Sequence, residues 1–178
     1  MQQKEHPLHL FKYCPICGSD RFVINNFKSK RCENCGFVYY FNPSSATVAV
    51  IINDKNEILV ATRANEPAKG TYDLPGGFVD MNETAEEAVV REVEEETGLK
   101  IQSVQYLFSI PNLYMYSGFE VETTDMFFLC KVQGNFDFTA HDDVSELRFI
   151  PLSELDPTKF GLRSVRNGIE KIIREMNQ

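Results

Sequence analysis

Acidic residues are concentrated in one short segment of the chain, at a spacing that could bind metal ions. Four of the five residues in 92–96 are glutamates, and no lysine interrupts the stretch 70–99. Like charges three or four positions apart destabilise a helix, so a solvent-exposed helix without a binding role normally carries lysines between its glutamates. On a helix, Glu92, Glu95 and Glu96 share one face. Such a face either binds hard divalent cations such as Mg²⁺ or Mn²⁺, or is simply an acidic surface.

The spacing of this segment is more specific than its charge. Gly77 is followed after five residues by Glu83 and after seven more by Arg91, and the pattern continues to Leu99. It resembles the Nudix box, with nine specified positions matched over twenty-three residues. The chain is therefore similar to Nudix hydrolases. The resemblance implies an α/β/α sandwich with a mixed sheet and the box as a loop–helix–loop. It also implies hydrolysis of the pyrophosphate bond in a nucleoside diphosphate linked to another moiety, with Mg²⁺ or Mn²⁺.

The resemblance implies roles for individual residues of the box. Glu95 and Glu96 match the main metal ligands of the family, and the carbonyl of Gly76 completes the site on the loop side. Glu92 matches the residue that holds a metal-bound water and acts as the base. Electrostatics also favours a metal site here, because an all-carboxylate pocket repels the negatively charged pyrophosphate unless cations lie between them.

Further residues outside that face are implied by the same resemblance. Glu83 and Arg91 match the catalytic pair that fixes the loop to the helix and orients the glutamates. The family takes one more metal ligand from a later loop, where Asp143 stands at the usual glutamate position. Because an aspartate is one methylene shorter, Glu146 is a competing ligand, and His141 is an alternative base.

Four of the five cysteines form two Cys-x-x-Cys-Gly motifs near the N-terminal end, at Cys14, Cys17, Cys32 and Cys35. Each turn brings two thiolates to one side of a metal, and two turns supply the four ligands of a closed zinc site. The alternatives are a disulfide pair or a redox dithiol. Without an apolar signal-peptide core we expect a cytoplasmic protein, where stable disulfides are disfavoured, and a redox motif would not be duplicated. We expect a structural zinc ribbon, and an inert buried thiol at Cys130.

The substrate is only partly indicated by the sequence. A zinc ribbon before a Nudix domain is similar in arrangement to NADH pyrophosphatases. Of that subfamily's motif after the box only Ser109 and Pro111 match, and the protein has no tryptophan. ADP-ribose, NADH and related dinucleotides therefore stay open as substrates. Tyr114 and Tyr116 could stack on a base or pack beside strands, and Arg63 could meet phosphate oxygens or offset the acidic face.

Two other functions are compatible with the same motifs. A regulator would hold a nucleotide without cleaving it, but the intact box disfavours that reading. An RNA-end or cap-processing enzyme would use the ribbon to bring RNA to the site. Lys28, Lys30 and Arg31 could contact nucleic acid there. We favour a solvated hairpin tip for these three residues, because four thiolates around Zn²⁺ offset part of their charge.

The predicted elements place the box between strands. We expect a hairpin of two strands at 46–52 and 57–61, followed by a helix at 83–97 that Gly98 closes. Three later strands are expected at 101–110, 125–132 and 146–150, and a final helix at 163–176. β-Branched runs separated by turn residues indicate the hairpin, and helix formers without Gly or Pro indicate the first helix. Strands mixed with two helices predict the α/β class.

Composition limits the remaining possibilities. The 178 residues carry 18 basic and 26 acidic side chains, a net charge of −8. This balance argues against a general nucleic-acid coat or a membrane-surface protein, which rely on positive charge. The longest apolar run is too short to span a membrane. Turn residues at 42–45 suggest a zinc ribbon over 1–42 and a Nudix domain over 43–178, and a homodimer stays open.

Overall fold

A computed structural model describes residues 5–176. The chain forms two compact units, divided between Pro43 and Ser44. The first unit contains a three-stranded antiparallel sheet in the order β1–β2–β3, with strands β1 (Phe22–Asn26), β2 (Ser29–Cys32) and β3 (Val38–Tyr40). Its small core consists of Phe22 together with two of the cysteine side chains.

Over residues 44–176, the second unit contains six strands, two helices and two short 3-10 turns. The strands are β4 (Ser44–Val50), β5 (Glu57–Arg63), β6 (Tyr72–Asp73), β7 (Ile101–Tyr116), β8 (Phe119–Val132) and β9 (Val144–Pro151). The helices are α1 (Ala85–Thr97) and α2 (Arg163–Met176), and the 3-10 turns are Leu152–Glu154 and Pro157–Lys159. Both predicted helices are confirmed. Within residues 5–176, no helix is long and apolar enough to cross a membrane.

The strands of the second unit form two sheets, in the orders β4–β8–β7 and β6–β5–β9. β4 is parallel to β8 and β7 is antiparallel to it, so the predicted mixed α/β fold is confirmed. The predicted hairpin of β4 and β5 is wrong beyond its turn: one bridge, Ile52 to Ile58, joins them before they enter different sheets. Both strands are buried on both faces. Each therefore packs between layers, unlike a hairpin with one solvated face.

The two helices cover opposite sides of the sheets. Successive residues of β4 alternate between two cores: Val48 and Val50 join the core that contains Ile169 of α2. Ala49 joins the other core, which contains Val93 of α1. This alternation follows from the two-residue period of a strand. The result is the α/β/α sandwich that the sequence predicted.

Helix α1 has defined signals at both ends. The side chain of Thr84 accepts a hydrogen bond from the amide of Glu87, whose carboxylate in turn accepts one from the amide of Thr84. This capping box starts the helix two residues later than predicted. At the other end Gly98 adopts φ 73° and its amide donates to the carbonyl of Glu94, which ends the helix where the sequence predicted.

Strands β7 and β8 form one hairpin, longer than the sequence predicted. The prediction ended at Ile110, before a proline, but β7 is an edge strand, where proline is tolerated. The two-residue turn consists of Ser117 and Gly118, at φ 49° and 77°, as a type I′ turn requires. Tyr114 and Tyr116 therefore lie in a strand near the hairpin tip.

Candidate active site

The glycine loop between β6 and α1 is fixed to strand β4. The amide of Ala49 donates to the carbonyl of Pro75 over 2.7 Å, and the amide of Thr47 donates to the carbonyl of Gly77 over 2.8 Å. Gly76 lies between these two bonded carbonyls. Its own amide points towards the buried end of α1, where it meets Glu96.

Glu96 is the most buried of the box glutamates, with 7% of its surface exposed. Its Oε2 accepts a 3.0 Å hydrogen bond from the amide of Gly76. Burial raises the pKa of Glu96 to about 8, and the charges of Asp73, Glu92 and Asp143 add to the effect. A buried carboxyl among three other acids is a position where a cation stabilises the ionised form.

Arg91 joins the loop to the helix face. Its guanidinium binds both carboxylate oxygens of Glu83, through Nε at 2.8 Å and Nη2 at 3.0 Å. Nη2 also donates to the carbonyl of Phe78 over 3.1 Å. The second oxygen of Glu83 accepts from the amide of Asp80 over 2.9 Å. A bidentate pair of this kind fixes orientation as well as distance, so the loop and α1 form one unit.

The same guanidinium contacts the other two glutamates of the face. Nη1 of Arg91 donates to Oε1 of Glu92 over 2.8 Å and to Oε2 of Glu95 over 3.0 Å. Burial is the main cause that raises the pKa of Glu92, whose side chain is 15% exposed, whereas that of Glu95 is 50% exposed. Glu92, Glu95 and Glu96 thus share one end of α1, as their spacing predicted.

The late loop brings Asp143 towards this end of α1. Oδ1 of Asp143 accepts a 2.6 Å hydrogen bond from the amide nitrogen of Asn65, and the charge of Asp143 contributes to the raised pKa of Glu96. Glu146 instead pairs with Arg148 over 3.1 Å. His141 is exposed, and its backbone amide bonds to the carbonyl of Glu96. Of the two competing acids, Asp143 is the one positioned to act on Glu96.

Arg63 is engaged by protein groups. Its Nη1 lies 2.5 Å from Oδ2 of Asp73, and its Nε donates to the carbonyl of Pro67 over 2.7 Å. Asp73 is 8% exposed and also accepts from the amide of Leu74. Arg63 therefore pairs with Asp73, an acid whose charge contributes to the raised pKa of Glu96.

An aromatic row lies beside the glycine loop. The ring of Phe78 packs edge-on against Tyr114 at 5.9 Å between centroids, and Tyr114 stacks on Tyr116 at 6.5 Å. Phe78 is 42% exposed and Tyr116 is 63% exposed. Exposed aromatic faces of this kind can stack on a nucleotide base.

Comparison with known proteins agrees with this geometry. The family model of the NUDIX domain matches residues 42–172. The chain belongs to the Nudix family. It is 39% identical over 123 residues to the ADP-ribose pyrophosphatase of Methanocaldococcus jannaschii, covering 68% of this chain and 69% of that protein. The prediction of a Nudix pyrophosphohydrolase is confirmed at the level of the family.

Two further comparisons bear on the Nudix fold. The chain is 32% identical over 109 residues to the NAD-capped RNA hydrolase NudC of Photobacterium profundum, covering 61% of this chain and 40% of that protein. The match thus spans about two fifths of that relative. The crystal structure of a NUDIX hydrolase from Nitrosomonas europaea superposes with a TM-score of 0.72 over 93% of this chain and 92% of that chain. At 22% identity this likeness shows the fold alone.

The unit before the Nudix domain gathers the four cysteines as the sequence predicted. Among residues 5–176, Cys14, Cys17, Cys32 and Cys35 are the only group of three or more ligating side chains whose ligand atoms lie within 4.8 Å of one another. Sγ of Cys14 lies 3.7 Å from Cys35, and Sγ of Cys17 lies 3.6 Å from Cys32. Zn–S bonds of about 2.3 Å at tetrahedral angles would place sulfurs roughly 3.8 Å apart. The cluster therefore fits a zinc ion.

The three basic residues of this unit do not form one patch. Lys30 is 7% exposed, donates to the carbonyl of Phe11 and lies over the ring of Phe22 at 5.2 Å. Lys28 donates to the side chain of Asn42, and Arg31 is exposed on β2, next to Lys30. With Lys30 buried, the basic surface is smaller than the sequence suggested.

Three residues near the Nudix site were missed by sequence reasoning. Asp73 and Asn65 carry no motif signal, since each acts through a partner distant in sequence or across a strand pair. Phe78 directly follows the two glycines of the box, and that position was a usable signal for a residue beside the substrate.

Proposed function

We propose that this Nudix protein hydrolyses the pyrophosphate bond of ADP-ribose, using Mg²⁺ or Mn²⁺ held by the box glutamates. The observation that carries the proposal is the convergence of Glu92, Glu95 and Glu96 with the Gly76 loop on one end of α1. The archaeal relative named as an ADP-ribose pyrophosphatase supports the choice of substrate.

The donor set fits hard divalent cations. The proposed ligands are the carboxylates of Glu92, Glu95, Glu96 and Asp143 with the carbonyl of Gly76. The carbonyls on either side of Gly76 accept hydrogen bonds from strand β4, so the loop segment that carries the Gly76 carbonyl is held in place. When bound, the cations offset the charge of the pyrophosphate and acidify a water molecule.

The protein residues then have defined tasks in the proposed reaction. Glu92 takes the proton from the attacking water, and the burial that raises its pKa makes it a stronger base than an exposed glutamate. Arg91 and Glu83 hold the glutamates in place through the bidentate pair. The water oxygen bonds to one phosphorus atom, the bridging P–O bond breaks, and ADP-ribose yields AMP and ribose 5-phosphate.

The remaining predicted contacts concern the two ends of the substrate. Tyr114 and Tyr116 are proposed to stack on the adenine, with Phe78 completing the row. Arg63 is proposed to affect substrate binding indirectly, by holding Asp73 and Pro67 in place, because its own donors already bind these two residues.

We propose structural zinc at the four cysteines of the first unit, with a ribbon over 1–42 and the Nudix domain over 43–178. Four ligands leave the metal no open position for chemistry. Reduced thiols of this kind suit a cytoplasmic enzyme.

NAD(H) and NAD-capped RNA form the second candidate substrate class. The relative named as an NAD-capped RNA hydrolase favours it, since both substrates carry the same pyrophosphate as ADP-ribose. A regulator without hydrolysis is disfavoured, because every specified position of the box is present.

A hydrolysis screen with product identification tests the proposal. ADP-ribose, NADH, NAD-capped RNA, nucleotide sugars and diadenosine polyphosphates are each incubated with Mg²⁺ or Mn²⁺, and ¹⁸O-labelled water shows which phosphorus is attacked. We expect the highest kcat/KM on ADP-ribose, and nearly complete loss in Glu95→Gln with an unchanged thermal unfolding midpoint. Equal activity of Glu95→Gln would contradict the assignment, and preferred cleavage of NADH or capped RNA would favour the second class.

A further inference from the structure

Asp143 is held by two consecutive residues at the end of strand β5. The side-chain amide of Asn65 donates to its Oδ1 over 2.6 Å, and the backbone amide of Ala64 donates to its carbonyl over 2.9 Å. The two partners of the side-chain bond are 78 positions apart in sequence. Both the backbone and the carboxylate of Asp143 are therefore fixed by the same short segment.

The loop that carries Asp143 is also attached to helix α1. The backbone amide of His141 donates to the carbonyl of Glu96 over 3.0 Å. Asp143 thus lies between a contact to β5 on one side and a contact to the metal-binding end of α1 on the other.

The carboxylate of Asp143 has two oxygens with different surroundings. Oδ1 accepts the amide of Asn65, while no hydrogen bond to Oδ2 is found within residues 5–176. An aspartate side chain has only two torsions, so holding one oxygen at hydrogen-bond distance restricts the directions open to the other. Outer partners of metal-binding carboxylates commonly serve this purpose, and their loss weakens metal binding or activity by roughly 10–100-fold.

We propose that Asn65 is a positioning residue that orients the Asp143 carboxylate towards the divalent cation of the active site. The inference rests on the proposed function, in which Asp143 is the late-loop ligand. Asn65 compensates for the short side chain at this position by holding it in one direction, so the metal does not have to select that direction from several.

The test measures Mn²⁺ binding to the full chain by the loss of the free Mn²⁺ signal in electron paramagnetic resonance. Asn65→Ala removes the donor without adding charge, and we expect the half-saturating Mn²⁺ concentration to rise about tenfold. The kcat at saturating Mn²⁺ should stay within about twofold of wild type, because the ligand itself is intact.

A matched control is available on the same strand. The side-chain amide of Asn53 donates to Oε2 of Glu57 over 2.7 Å, at the opposite end of β5 and roughly 20 Å from the Asn65 end. Asn53→Ala removes an amide–carboxylate bond away from the site, together with the two hydrogen bonds that Oδ1 of Asn53 accepts from the amides of Lys55 and Glu57. Its Mn²⁺ midpoint should match wild type, and thermal unfolding without divalent metal reports the folding of every variant.

A double-mutant cycle with Asp143→Asn separates the inference from the proposed function. We expect Asp143→Asn to weaken Mn²⁺ binding, and Asn65→Ala to have no further effect in that background. If Asp143→Asn leaves the midpoint unchanged, Asp143 is not a ligand and the ligand set of the proposed function is wrong. If Asp143→Asn weakens binding but Asn65→Ala does not, or if the two effects add, the positioning role alone is overturned.

Discussion

The backbone amide of Gly76 donates a 3.0 Å hydrogen bond to Oε2 of Glu96, which ties the glycine loop to the buried end of α1. The carbonyls of Pro75 and Gly77 hold the same loop to β4. The loop is therefore fixed from two sides, and the two adjacent glycines have different surroundings. A methyl group at Gly76 would lie inside contact distance of the Thr47 carbonyl, whereas one at Gly77 would meet Glu92 Oε1 at 2.5 Å.

This difference predicts that alanine substitutions at the two glycines affect different properties, stability at Gly76 and activity at Gly77. Gly76→Ala presses on backbone and places alanine at φ 148°, so we expect a loss of at least about 2 kcal/mol in unfolding free energy. Gly77→Ala presses only on the side chain of Glu92, so the unfolding midpoint should change little while kcat falls. Chemical denaturation and hydrolysis assays separate the two. Equal destabilisation by both variants would show that the loop is not fixed as described.

The fold was predictable where local signals decide it. Gly98 ends α1 where the sequence predicted, and both helices lie within two residues of their predicted bounds. The pairing of β4 was not predictable, because its partner β8 is more than seventy residues away and runs parallel. The length of β7 was missed because a proline on an edge strand leaves no unmet ladder bond, which the sequence alone does not reveal.

The candidate site divides in the same way. The box glutamates and Arg91 follow from spacing on one helix, and the structure places them together. Asp73 and Asn65 depend on tertiary contacts, and no periodicity points to either. The sequence left open whether Arg63 meets phosphate oxygens or offsets the acidic face, and in the structure the buried carboxylate of Asp73 pairs with its guanidinium.

The Arg63–Asp73 pair predicts a stability effect that a substrate contact would not produce. The two side chains are 17% and 12% exposed. Removing one partner of a buried pair leaves an uncompensated charge, so Arg63→Ala should cost roughly 3 kcal/mol of unfolding free energy. Asp73→Asn in the same chain should restore part of that loss, because it removes the unpaired charge. A rise in KM for Arg63→Ala without any loss of stability would instead indicate a direct phosphate contact.

The five cysteines should react with a thiol reagent in separate steps. In the zinc-loaded protein we expect almost no reaction, because four thiolates bind the metal and Cys130 is 2% exposed. Burial raises the pKa of Cys130 to about 12, so its thiol is protonated at neutral pH. A strong chelator should release one zinc per chain and expose four thiols, and denaturant should expose the fifth. Zinc release and thiol titration are followed by absorbance, and a fast-reacting thiol in the loaded protein would contradict the assignment.

Glu87 predicts a pH-dependent contribution to stability. Hydrogen bonds from the backbone and side chain of Thr84 lower the pKa of Glu87 in the folded state below the ordinary 4.5. An acid whose pKa is lower in the folded state stabilises the fold at pH values above its unfolded pKa. This contribution is lost as the pH falls through the folded-state pKa. Wild type should therefore unfold at a higher temperature than Glu87→Gln at pH 7, and the difference should shrink at acidic pH values below 4.5. A difference that stays constant between these pH values would mean that the charge of Glu87 is not involved.

Tyr116 tests whether the aromatic row contacts the substrate. The ring is 63% exposed at the hairpin tip and stacks on Tyr114, so truncation should cost little stability. Stacking contributes about 1–3 kcal/mol per base, which predicts a rise of roughly 5- to 150-fold in KM for ADP-ribose in Tyr116→Ala, with kcat little changed. Tyr116→Phe should keep the wild-type KM. Tyr106→Ala is the matched control, because Tyr106 is 52% exposed near the other end of β7 and packs on Phe128 in the core. Unchanged KM in Tyr116→Ala and Tyr114→Ala would show that the row only packs against the hairpin, and that the base is bound elsewhere.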